Sequence, residues 1–197
     1  MINKEKQKLK EKYTQLAKKY LDTKKILVIF IALILILMFS KAFKGILLII
    51  LFIPLVHYSV RITRFVPHIT LETYTGSAIL MAYLYGPAAG ALSALVLGIY
   101  GYFSNGVTKF LALLNVFVAT LTGFVFGFLV QHKLLNLGFS STFFVAILFN
   151  NIVSYFVFLV FDPDQIQNVI YRITHVIWNG FISILFFTLL YNLYNLF

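Results

Sequence analysis

The feature that most constrains this chain is a succession of long stretches almost without charge. Beyond Lys25, only seven Lys or Arg and three Asp or Glu interrupt residues 26–197. Runs of that length must face lipid or another apolar segment, because a helix needs about 20 apolar residues to cross about 30 Å of hydrocarbon. Hydrophobic residues make up 61% of the 197, charged residues 11%, and mean hydropathy is +0.93. A water-soluble fold is excluded, and the class implied is an all-α, polytopic integral membrane bundle in the cell membrane.

The absence of cysteine excludes disulfide frameworks, Cys-ligated metal and any Cys nucleophile. The formal net charge of +10 does not point to nucleic acid, because nine of the sixteen Lys and Arg lie within residues 1–25. That segment has neither Gly nor Pro, and Ile2, Leu9, Tyr13, Leu16 and Tyr20 fall on one helical stripe. It reads either as a basic amphipathic helix on anionic lipid head groups or as a solvated cytoplasmic tail that fixes orientation. Ser40-Lys41-Ala42 also offers a small-x-small cleavage pattern, although the charged leader is long for a signal sequence.

From residue 26 to 197 the hydrophobic segments read as spans 26–43, 45–60, 69–85, 87–103, 107–131, 139–161 and 165–197. Lys41 and Lys44 occupy a tight turn, Arg61 and Arg64 stop the second span, and Gly86-Pro87 breaks the chain. The literal count is seven helices, and six if residues 26–60 form a shallow hairpin or if the first run does not span. An amino terminus inside places 13 Lys and Arg on the cytoplasmic side of the seven-span arrangement and three outside.

Small residues recur every fourth position at Ala82, Gly86, Gly90, Ala94 and Gly98, and again at Ala119, Gly123 and Gly127. Such ridges let helix backbones approach closely, either within the bundle or against a partner subunit. The Gly/Ala helix 87–103 is expected at the centre. Polar groups inside spans are the site candidates, since each must point inward. Glu72 is the one acid in a span, and it is expected either as a cavity residue facing a cationic or hydrogen-bonding ligand or as a partner of Arg64, His68, Arg172 or its own helix's amides. Arg172, His175 and Asn179 fall at i, i+3 and i+7 on one face, and with Asn115, Asn150 and Asn151 they line an expected polar cavity.

The sequence lacks metal-binding His pairs, nucleophile elbows, phosphate loops and paired intramembrane aspartates. No enzyme activity, metal or cofactor is therefore expected. The stretch 67–129, and above all Ala82-Tyr83-Leu84-Tyr85-Gly86-Pro87-Ala88-Ala89-Gly90-Ala91-Leu92-Ser93-Ala94, resembles the helix–Gly-Pro-x-x-Gly-Ala–helix centre of the S components of energy-coupling factor transporters. That resemblance implies about six helices that capture a small molecule, vitamin or metal, from outside. It also implies a membrane coupling protein and two ATPases as partners. The first run carries Ala32 alone where that family has an Ala-x-x-x-Ala coupling motif. The same centre is similar to that of the MreD family, which implies a scaffold subunit of a cell-wall assembly instead.

Overall fold

A computed structural model describes residues 24–31, 40–65, 71–161 and 165–196. Most of the basic tail, residues 32–39 of the first apolar run, and Pro67 and His68 lie outside the described residues. Helix α1 covers 24–31, followed by α2 (Lys41–Phe65), α3 (Thr73–Tyr85), α4 (Pro87–Ser104), α5 (Phe110–Gln131) and α6 (Phe139–Phe161). The last helix comprises α7 (Gln165–Ile177), a π-helical stretch (Trp178–Ser183) and α8 (Ile184–Leu196). Two compact units divide at Ile46 and Leu47. In the first, the Ser40 hydroxyl and carbonyl accept the backbone N–H groups of Phe43 and Lys44, which starts α2 at Lys41.

Among the described residues, Phe43–Phe65, Pro87–Ser104, Phe110–Gln131, Phe139–Phe161 and Ile166–Leu196 are long and apolar enough to cross a membrane. The chain is thus a multi-pass membrane protein in contact with the bilayer. Its boundaries depart from the sequence reading where charge was taken as a stop. Arg61 and Arg64 lie in the last turns of α2 and do not end it at Val60. Basic groups are favourable near a helix C-terminus and mark where hydrocarbon ends, not where the helix does.

Helix α3 is only 13 residues, about 20 Å at 1.5 Å per residue, and starts at Thr73 instead of position 69. It is the buried centre of the second unit: every residue from Tyr74 to Ala82 is buried. The expectation that 87–103 occupies the centre is corrected accordingly, since α4 exposes Leu92, Leu95, Val96, Ile99 and Tyr100 on one face. Small side chains let α3 take that place. Gly76 lies under the Phe187 ring, which would stand 2.1 Å from a Cβ there, and Phe187 stacks on Phe143 at 5.3 Å.

The small-residue ridges face each other inside the unit. A Cβ on Gly123 would stand 2.7 Å from the Gly90 backbone, and one on Gly127 would stand 2.5 Å from Pro87 Cα. A Cβ on Gly90 would meet Ala82 Cβ at 2.5 Å, and one on Gly98 would meet Val116 at 2.8 Å. Ala94 and Ala119 are buried alongside. The α3–α4 corner needs Gly86, whose φ of +93° belongs to the left-handed region.

Candidate functional site

Helix α7 is sharply two-sided. Ile166, Val169, Ile170, Ile173 and Ile177 are exposed, whereas Asn168, Arg172, His175 and Asn179 are buried. The buried positions recur at intervals of four, three and four, the spacing of one helical face. The polar stripe therefore begins one turn before Arg172, at Asn168, a residue the sequence reading passed over.

A cavity of about 690 Å³ lies at the end of the bundle where α2 and α6 finish and α5 and α7 begin. Its lining includes Arg64, Lys109 and Arg172, with no acidic side chain among the described lining residues. Tyr102, Phe158 and Tyr171 supply aromatic walls, and Asn115 and Asn168 supply amides. That volume lies in the range of small-molecule pockets.

Arg172 is held from several sides. Its Nε donates to Asn168 Oδ1 at 3.3 Å and its Nη2 donates to Asn115 Oδ1 at 3.2 Å. The guanidinium lies 4.5 Å from the Phe158 ring centroid and 4.9 Å from that of Tyr171. The residue is 6% exposed, and its Nη1 has no hydrogen-bond partner. Rings and neutral amides orient a guanidinium but leave its charge uncompensated.

Glu72 lies behind this wall, at the start of α3, and is buried. Its side chain makes no helix-capping bond. Oε1 accepts a hydrogen bond from the Tyr171 hydroxyl and lies 3.5 Å from that of Tyr102, which is in turn 3.3 Å from the Tyr74 hydroxyl. Oε2 faces His175 Nε2 at 3.4 Å, without the alignment of a hydrogen bond. Asn151 Nδ2 lies 2.8 Å from His175 Nδ1, on the side of the ring away from Glu72.

The expected partners of Glu72 are corrected by this geometry. Arg64 donates to Asn105 O at 2.6 Å, and Arg172 is bound to amides. His68 lies outside the described residues. Tyrosine hydroxyls and a histidine suit a carboxylate here because they satisfy its oxygens without a permanent second charge in a low-dielectric interior.

The expected single polar cavity is therefore divided. Asn115 and Arg172 line it; Glu72, Asn151 and His175 form the cluster behind it. Asn150 turns to α5, where its Oδ1 accepts from Thr122 Oγ1 at 3.1 Å. Asn179, in the π-helical stretch, accepts from Ser183 Oγ at 3.2 Å. Tyr102, Tyr171, Asn168 and Phe158 were missed. For Asn168 the signal was its place four residues before Arg172; the aromatic residues gave none, because Tyr and Phe occur throughout this chain. No protein-family model, curated protein or solved structure matches this chain.

Proposed function

We propose that this chain is a membrane-embedded subunit that captures a small polar molecule for uptake and works with separate energising subunits, as the S-component resemblance implies. The observation that carries the reading is the 690 Å³ cavity bordered by a buried Arg172 whose Nη1 has no hydrogen-bond partner among the described residues. A purely structural arginine in an apolar interior would be expected to meet a carboxylate, since an unpaired buried charge is costly. Three cations, and no carboxylate among the described lining residues, favour an organic cargo over a metal ion.

Capture from outside requires the cavity end to face outward, which is the six-span arrangement in the cell membrane. The charge distribution supports it nearly as well as seven spans. The nine tail lysines with Lys41, Lys44 and Lys133 then lie inside, and Arg61, Arg64, Lys109 and Arg172 outside. Because the chain has no cysteine, Thr108→Cys in the exposed α4–α5 loop gives a single reporter. A membrane-impermeant maleimide is expected to label it in intact cells; labelling only after lysis overturns outward capture.

The MreD-like scaffold reading loses its best surface, since the glycine ridges that would hold a partner are closed against one another in α4 and α5. Purification of the tagged chain from its native membrane in mild detergent separates the two readings. A membrane coupling protein with ATPases, together with a retained small molecule, is the expected outcome. Recovery in a morphogenetic assembly without a small molecule overturns the capture reading.

A further inference from the structure

We infer that the molecule captured in this cavity carries an anionic group, carboxylate or phosphate, and that Arg172 is the residue that pairs with it. The inference rests on the capture reading above and adds the chemical class of the ligand.

Among the described lining residues of the cavity the charged side chains are of one sign. Arg172 is in the wall, and Arg64 and Lys109 are exposed residues of the same lining. The nearby carboxylate, Glu72, is already engaged by the Tyr171 hydroxyl and by His175, whose Nε2 lies 3.4 Å from Oε2. No carboxylate among the described residues is paired with Arg172.

Arg172 is also fixed in place before any ligand arrives. Asn168, one turn away on α7, and Asn115 on α5 hold two of its nitrogens, while Phe158 supports its plane. A planar guanidinium immobilised in this way loses little entropy on pairing, and its remaining nitrogen suits an oxyanion. A neutral or cationic ligand would leave that nitrogen unsatisfied and the cation in a low-dielectric wall. The anionic group has two sources: a free small molecule, or the head group of an anionic lipid at the mouth.

The test uses the purified full chain in an uncharged detergent and follows its thermal unfolding. The probes are benzoate and nicotinate, their uncharged amides benzamide and nicotinamide, and inorganic phosphate, each at about 10 mM, above the millimolar affinities that fragments reach. A second arm adds phosphatidylglycerol. At least one carboxylate or phosphate is expected to raise Tm by about 3 °C while its amide counterpart does not. Arg172→Gln is expected to abolish that shift.

Should Arg172→Gln fail to fold, Lys109→Gln at the exposed rim keeps the question open to measurement: it raises the anion concentration for half-maximal shift about threefold by weakening attraction at the mouth. Equal or larger shifts with the amides overturn the anionic class and leave capture standing. A shift from phosphatidylglycerol alone, lost in Arg172→Gln, keeps the anionic pairing but overturns capture of a free molecule. No shift from any probe or lipid overturns both.

Discussion

Along the α4–α5 seam, Gly90 and Gly123 bring two helices so close that a Cβ on either would lie within 2.8 Å of the other's backbone. At the cavity end, Asn168, Arg172 and His175 on α7 stand among long polar side chains and rings, with about 690 Å³ left open beside them. Both regions bury helix surface away from lipid. The seam does so by removing side chains, so its contacts are backbone dispersion with no room for adjustment. The α7 end does so with groups that need partners, and those partners are not all supplied by the described residues. The dry seam fixes the fold, and the polar end carries the capacity to bind.

The strongest way to break this contrast is Gly123→Leu. A leucine there must displace the backbone of Gly90 and Ala91, which cannot move as the end of a side chain can. A loss of about 3 kcal/mol or more is expected, enough to leave little folded protein. Phe124→Leu, next along α5 but half exposed, is expected to stay within about 0.5 kcal/mol. Thermal unfolding in detergent compares the two, and a Gly123→Leu protein as stable as its parent refutes the closed seam.

How much of this was legible in the sequence follows from the physics of each region. The seam was readable because small residues at every fourth position fall on one helix face whatever the rest of the fold does. The inward face of α7 was readable for the same reason. What could not be read was which polar residues meet. Asn150 and Asn151 are neighbours in sequence but about 100° apart around the helix, so one reaches Thr122 on α5 and the other His175 on α7. Glu72 and Tyr171 are 99 positions apart and meet only through the packing of α3 on the last helix. The charged ends of helices misled in a different way, since Arg61 ends the uncharged run at Val60 while α2 continues to Phe65.

A smaller effect, and one that sharpens the comparison, is expected from Glu72→Gln. The substitution keeps the shape of the side chain, so the packing of α3 is preserved. It removes the charge that Tyr171 and His175 satisfy, and it turns an amide toward groups arranged to donate. Loss of a charge-assisted hydrogen bond in such a place is expected to cost about 2 kcal/mol, less than the seam substitution because the buried groups retain part of their pairing. The consequence for the cavity is more telling than the stability. Tyr171 is both a donor to Glu72 and part of the cavity wall beside Arg172. Releasing its hydroxyl loosens the wall, so Glu72→Gln is expected to weaken ligand-induced stabilisation as well as lower the unfolding temperature. Thermal unfolding with and without bound ligand separates these two effects. If stability falls while the ligand shift is unchanged, the cluster behind the wall serves the fold alone, and the division between a dry structural seam and a polar binding end has to be redrawn between Glu72 and Arg172.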